Sequence, residues 1–405
     1  MADFAPWRLK ISTMMNWELF KAMLSIDSTS GKEREMALWL YDRLEAPEKE
    51  LMEVGDGTLN LFLRWGTPKV VFCTHMDTVP PYIAPVFPED VVSGGHVHPR
   101  TWVGGGARWL EASGRGRSEQ SERSSSGDNI LRKIEGRGSC DAKGQIFAMY
   151  TACKELEAQD FTDFGLLILA GEETGSWGAK AFSKTGFEAP FLIVGEPTEN
   201  KMVSASKGTK SYTLTFRGKA FHSGYPQYGV SAVDLFNEFY NKLKAKDFGM
   251  DPELGETTWN IGLLHSDNPQ NILSPELSCR LYFRTTFLSH QAVQDWMEAA
   301  GREGFSGAFA RTGSRSDAEE NAAALTVTAN GTGDAPAHYV TLPGFESAPV
   351  AFGSDAPHLS GFGHKIICGP GTIRVAHRDD EHILASDLET AVEQYVRMYR
   401  CLTNA

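Results

Sequence analysis

Seven ionisable residues fall where apolar runs of the chain come to an end. KVVFCTHMD (residues 69–77) closes on His75 and Asp77, GLLILAGEE (165–173) on Glu172 and Glu173, and FLIVGEPT (191–198) carries Glu196. Asp141 sits just ahead of a helical pattern, and His377 follows the IRVA segment. Each alone is an ordinary polar residue at a strand end; seven together are a constellation. Two imidazoles and several carboxylates, with no thiolate, are the ligand set of a hydrolytic site for zinc, cobalt or manganese. Two ions need a ligand in common, and an aspartate can bridge centres about 3.5–4 Å apart.

Such a set requires elements that bring it to one edge. The apolar runs, with HKIICGPG (364–371) and the IRVAH segment after it, read as buried strands of an α/β sheet. Helical patterns lie between them, at GQIFAMYTACKELEAQ (144–159) and DLETAVEQYVRMYRCL (387–402). In an open α/β sheet, sites gather beyond the carboxyl ends of the strands, which is where these seven residues stand. From about Lys207 to Ala329 the pattern changes: SYTLTFRG, ELSCRLYFRTT and ALTVTA alternate, with helical SAVDLFNEFYNKLKA and HQAVQDWMEAA between them. This predicts a small α+β domain at 207–329, inserted between the first part (1–206) and second part (330–405) of a larger one. The Gly, Ser and Arg-rich stretch 92–129 reads as a flexible insertion, and 302–324 as a surface connection. His96 and His98 lack a nearby carboxylate or cysteine partner and read as ordinary loop residues.

With 405 residues, two domains are the default expectation. The chain carries 39 basic and 52 acidic side chains, a formal charge of -13 that repels nucleic acid and anionic membrane surfaces. There is no apolar run of the ~20 residues needed to span a bilayer and no signal-like apolar core near the start, so the expected location is cytoplasmic. Met14 or Met15 is as plausible a natural start as Met1. The cysteines Cys73, Cys140, Cys153, Cys279, Cys368 and Cys401 are scattered without a CxxC pair, which predicts reduced, structural thiols.

THMDTVP (74–80), GRGSCDAKG (136–144), EETGS (172–176), GEPT (195–198), FHSG (221–224) and AHRDDEH (376–382) together resemble the M20 metallopeptidase family. That family includes acetylornithine deacetylases, succinyl-diaminopimelate desuccinylases, aminoacylases and glutamate carboxypeptidases. The motifs stand in the family's order over nearly the whole chain. The resemblance implies a mixed-sheet, zinc-peptidase-like catalytic domain with an inserted, ferredoxin-like lid and dimerisation domain. It implies two divalent ions, zinc with cobalt or manganese as alternatives. His75 and Glu196 would bind one, Glu173 and His377 the other, and Asp141 would bridge them. Asp77 would orient the His75 imidazole. The peptide between Asp141 and Ala142 would be cis.

By the same resemblance Glu172 is the general base, taking a proton from metal-activated water as it attacks an amide carbonyl and returning it to the leaving amine. Adjacent residues point in different directions, so Glu172 and Glu173 can divide these tasks. His222 would reach the site of a neighbouring subunit to stabilise the oxyanion, which implies a homodimer. Asn271 and Arg284, in NILSPELSCRLYFR, would bind the substrate carboxylate, although Ser274 stands where the family usually has proline, with Pro275 one position later. The SDAPHL and AHRDDEH segments are most similar to the deacetylase and desuccinylase branch. The expected substrate is therefore an N-acetyl- or N-succinyl-ornithine or citrulline of arginine biosynthesis, with a desuccinylase of the diaminopimelate route or a di- or carboxypeptidase as the alternative. Two other classes compete: a binding protein that has lost catalysis, which would have lost ligands or base, and a thiol hydrolase using Cys73 or Cys140, which would need a partner His.

Overall fold

The computed structural model describes residues 14–55, 57–88, 132–303 and 324–404. The insertion at 92–129, with His96 and His98, and almost all of 302–324 lie outside the described residues. The chain enters through α1 (Trp17–Leu24) and α2 (Glu33–Arg43), then forms β1 (Glu48–Gly55), β2 (Thr58–Gly66) and β3 (Val70–His75). After β4 (Lys133–Glu135) come the long helix α3 (Lys143–Glu157), β5 (Asp163–Leu169), α4 (Trp177–Ser183) and β6 (Ala189–Val194).

β7 (Met202–Ser206) leads into β8 (Gly208–Arg217), α5 (Ala232–Ala245), β9 (Thr258–His265), β10 (Glu276–Thr285), α6 (Ser289–Glu303) and β11 (Ala324–Ala329). The chain then returns through β12 (Ser347–Val350), β13 (Phe362–Ile367), β14 (His382–Leu384) and α7 (Ala385–Thr403).

The central sheet is mixed, in the order β1-β2-β5-β3-β6-β13. β1, β2 and β5 pair antiparallel, while β5, β3, β6 and β13 run parallel. Parallel strands are buried on both faces, and β3 shows this residue by residue. Val70 and Phe72 enter the core cluster on one side of the sheet, Val71 and Cys73 the cluster on the other. β5 divides in the same way, with Phe164, Leu166 and Ile168 on one side and Leu167 and Leu169 on the other. This double burial explains the continuous apolar runs. The outer strand of the hairpin, β1, has no such run: Glu48, Glu50 and Glu53 alternate with half-buried residues, so that strand is invisible to a search for apolar stretches, whereas β2 is buried from Leu59 to Leu63.

Residues 208–303 and 324–329 form a second, fully antiparallel sheet in the order β9-β10-β8-β11, with α5 and α6 packed on it around Leu214, Phe216, Phe239, Leu281, Phe283 and Met297. Strand β9 is an addition to the three expected there; its burial is only partial, and Leu263 and Leu264 face solvent. The IRVAH segment corrects another expectation. Residues 373–377 form a turn, not a strand, because Ile373 and Arg374 are exposed and His377 has a φ of 65°, in the left-handed region. Among the described residues no helix is long and apolar enough to cross a membrane. All six cysteines are free thiols, and Cys401 alone of them is exposed.

Candidate metal centre

Because β5, β3, β6 and β13 are parallel, their carboxyl ends open on one edge of the sheet, and four loops meet there. The first begins at His75, the last residue of β3, which is buried. Its Nδ1 lies 3.0 Å from the carbonyl oxygen of Asp77 and 3.4 Å from the Asp77 carboxylate, leaving Nε2 to point into the centre. The carbonyl is the better placed partner. The Asp77 carboxylate does something else: it accepts the backbone N–H groups of Glu172 at 3.0 Å and Glu173 at 3.1 Å, and the Ser30 hydroxyl at 3.1 Å. Asp77 thus holds the turn that follows β5.

Asp141 stands between the two imidazoles. One oxygen lies 3.1 Å from His75 Nε2 and the other 3.3 Å from His377 Nε2. His377 Nε2 is also 3.0 Å from Glu173 Oε1. Ligand atoms of His75, Asp141 and Glu173 fall within 4.8 Å of one another, a spacing that one cation can span. The Asp141–Ala142 peptide is cis, as the family resemblance implied.

Glu196, after β6, is buried, and its Oε1 has no hydrogen-bond partner among the described atoms. A buried carboxylate oxygen without a donor is costly, and a cation is what would satisfy it. The donor set, two imidazoles and acceptor-only carboxylates, fits divalent metal of the zinc, cobalt or manganese type.

The electrostatics of the metal-free chain point the same way. Burial would lower the His75 pKa, but hydrogen bonds to Asp141 and Asp77 and the surrounding negative charge hold it well above the usual value. Hydrogen bonds to Asp141 and Glu173 push His377 up to about 10. Asp141 is held below the ordinary carboxylate range: burial opposes ionisation, but both imidazoles favour it. Burial raises Glu172 well above its ordinary value, reinforced by Asp355, Glu173 and Asp141 and opposed by His75. Glu196 is raised likewise by burial and by the charge of Glu172. The raised proton affinities fall on groups whose shared negative charge a cation would compensate.

Two further carboxylates belong here that the sequence did not single out. Asp355, in SDAPHL, is buried with Oδ1 unpartnered, and burial pushes it to about 6. Glu381, in AHRDDEH, is buried against Arg137 and the loop that carries Asp141. Both lie in segments already notable as motifs, but nothing in a run such as Asp379-Asp380-Glu381 marks which member turns inward.

Among the described residues, His222, Asn271 and Arg284 make no hydrogen bond or ion pair with His75, Asp141, Glu172, Glu173, Glu196 or His377. His222 is exposed, its Nδ1 accepting the Gly224 N–H at 3.0 Å. Asn271 lies beside it: its carbonyl accepts the Ser223 N–H at 2.9 Å, and Ile272 pairs with His222 in an isolated bridge. Arg284, on β10, stacks 5.1 Å from the Tyr282 ring. A methyl group placed on Gly353 would lie 3.8 Å from Arg284 Nη1, so this guanidinium approaches the loop that carries Asp355. At the unusual Ser274, the hydroxyl takes up a local network, 2.7 Å from Ser266 Oγ and donating to the Glu276 carbonyl at 2.9 Å.

A sequence model of Peptidase family M20/M25/M40 matches residues 118–400. A probable carboxypeptidase of Aspergillus clavatus is 29% identical over 396 residues, covering 92% of this chain and 85% of its own length. Among solved structures, a tripeptidase from Staphylococcus aureus is similar with a TM-score of 0.69 at 18% identity, covering 98% of this chain and 99% of that one. An M20 family metallo-carboxypeptidase from Sulfolobus solfataricus gives a TM-score of 0.63 at 15% identity, covering 96% and 99%. At these identities the structures speak for the fold.

Proposed function

We propose, from the premise that this chain belongs to Peptidase family M20/M25/M40, that it is a dinuclear-metal amidohydrolase acting on a small N-acyl amino acid. The observation that carries the reading is Asp141, whose two oxygens face His75 and His377 separately, at 3.1 and 3.3 Å. One carboxylate so placed can serve two ions, with His75 and Glu196 holding the first and Glu173 and His377 the second. Zinc is the expected metal, with cobalt and manganese as alternatives. Bound there, the ions would polarise an amide carbonyl and acidify water.

The protein's own part is positioning and proton transfer. Asp77 pins the Glu172–Glu173 turn by two backbone N–H bonds, so the neighbouring side chains keep distinct directions. Glu172, whose proton affinity is raised by burial, is suited to take a proton from water and hand it to the departing amine. Arg284 and Asn271 are assigned to the substrate carboxylate. For Arg284 the support is the approach of its Nη1 to the Gly353 loop, together with the capacity of a planar guanidinium to pair two carboxylate oxygens.

A homodimer through the lid is part of this reading, with His222 serving the partner's site as an oxyanion donor. Residues 219–228 are all exposed, including Phe221, Tyr225 and Tyr228, an apolar surface suited to a second copy.

For the substrate, the SDAPHL and AHRDDEH segments favour N-acetyl- or N-succinyl-ornithine or citrulline. The carboxypeptidase name of the Aspergillus clavatus relative favours peptides as the second reading. Hydrolysis rates on N-acetyl and N-succinyl amino acids, set against dipeptides and measured after chelation and after refilling with zinc or cobalt, decide between them. Fastest cleavage of dipeptides would overturn the deacylase reading, and activity that survives full chelation would overturn the metal reading.

A further inference from the structure

Glu381 differs from the acidic neighbours that precede it. Asp379 and Asp380 are exposed, and Asp380 pairs with Arg378 at 2.7 and 3.2 Å. Glu381 is 1% exposed and turns inward. Its Oε1 accepts the backbone N–H groups of Gly138 at 3.0 Å, Cys140 at 3.1 Å and Asp141 at 3.1 Å. Its Oε2 lies 2.6 Å from Nη1 of Arg137, itself 1% exposed. The Glu381 carbonyl also accepts the Gly136 N–H at 3.0 Å.

Three N–H groups converging on one oxygen form a backbone cradle for an anion, and charge on the acceptor strengthens every bond in it. The cradle is the loop that ends in Asp141, so the carboxylate of Glu381 determines where that loop runs. Arg137 extends the connection. Its Nε donates to the Pro81 carbonyl at 3.1 Å, its Nη1 to the Arg378 carbonyl at 3.1 Å, and its own N–H to the Ile83 carbonyl at 3.0 Å. The loops following His75, preceding Asp141 and following His377 are thereby tied at one buried ion pair. Burying two charges costs free energy unless partners satisfy them, and a well-packed apolar pair would serve stability as well. What an apolar pair could not do is hold three N–H groups in place.

We propose that Glu381, backed by Arg137, is a positioning residue for the reaction: it holds the Asp141 loop so that Asp141 can face His75 and His377 at once. The proposal rests on the two-metal reading of the site. It acts through Asp141, without contact with substrate.

Metal-stripped wild type, Glu381→Gln and Glu381→Asp are titrated with Co(II), following its visible absorption for the number and affinity of bound ions, with folding checked by circular dichroism and kcat and KM measured on the loaded proteins. Gln keeps a carbonyl acceptor but loses the charge; Asp keeps the charge beside Arg137 but withdraws it from the three N–H groups. Wild type is expected to take up two ions, and both variants to bind them about 10- to 100-fold more weakly, the range found when groups supporting metal ligands are removed. With metal in excess, kcat should fall more than KM rises. Folded variants that bind two ions as tightly as wild type, with only a lower melting temperature, would reduce Glu381 to a structural residue and overturn the proposal. The Asp variant decides the matter if the Gln variant does not fold. Wild type that takes up fewer than two ions overturns the two-metal reading, and the proposal with it, a result distinct from equal binding by the variants.

Discussion

The Asp77 carboxylate accepts the backbone N–H of Glu172 at 3.0 Å, although the two residues are 95 positions apart in the chain. The bond joins the loop after β3, which begins at the proposed metal ligand His75, to the turn after β5 that carries the proposed base. Asp77 is buried and held below its ordinary pKa: burial opposes ionisation, but His75 and the two N–H groups of the turn outweigh it.

Asp77→Asn keeps the shape but replaces one acceptor oxygen by an NH₂ group that meets a backbone donor. Metal affinity is expected to fall about 10- to 100-fold, with kcat lowered as the turn loosens. Cobalt titration and kinetics on the same preparation check this; unchanged affinity and rate would remove Asp77 from the site.

Glu172→Ala removes the proposed proton carrier while leaving the proposed ligands in place. Turnover should drop by about 10²–10⁴-fold, the usual contribution of a positioned acid or base, with two ions still bound per chain. Metal analysis of the purified variant beside its kcat separates the two roles. Loss of metal in parallel with activity would make Glu172 a ligand instead.

The metal-free protein should become less stable as pH rises from about 5 to 9. His75 and His377 have folded pKa values above the unfolded 6.5, so their stabilisation is complete below that value and is lost as pH climbs, for His377 through about 10. Glu172 and Glu196, also raised, act in the same direction above their unfolded 4.5. Asp141 has the opposite sign, its stabilisation present above 3.8 and lost only as pH falls below it, outside this window. Zinc should reverse the trend, because its ligands bind best deprotonated, and at 100 times its Kd an ion adds about 2.7 kcal/mol. Thermal melts with and without chelator across this range give the slopes; a metal-free stability that climbs with pH would contradict the charge arrangement of the site.

Cysteine chemistry offers a separate check. Burial pushes the Cys73 and Cys140 thiols well above their usual range, and negative neighbours add to it, the reverse of an activated nucleophile. Iodoacetamide on the native protein at pH 8 is expected to label Cys401 alone, with full activity retained. Labelling of Cys140 with loss of activity would revive the thiol mechanism.

Four residues of the proposed centre, His75, Glu172, Glu173 and Glu196, stood out in the sequence because parallel strands are buried on both faces. VVFC, LLILA and FLIV are therefore unbroken apolar runs, and the chain just beyond each run marks the edge where His75, Glu172, Glu173 and Glu196 emerge. The edge hairpin β1–β2, strand β9 and the turn at 373–377 were not legible. Strand β1, strand β9 and the turn are only partly buried, β2 is buried but its apolar residues are interrupted by Asn60 and Arg64, and the conformation of all of them is settled by partners elsewhere in the chain. The same limit explains Glu381 and Asp355: charge and spacing are properties of the chain, but which carboxylate of an acidic run turns inward depends on which buried N–H groups and cations need it. Only the folded chain, by closing 240 residues between Asp141 and Glu381, makes that choice.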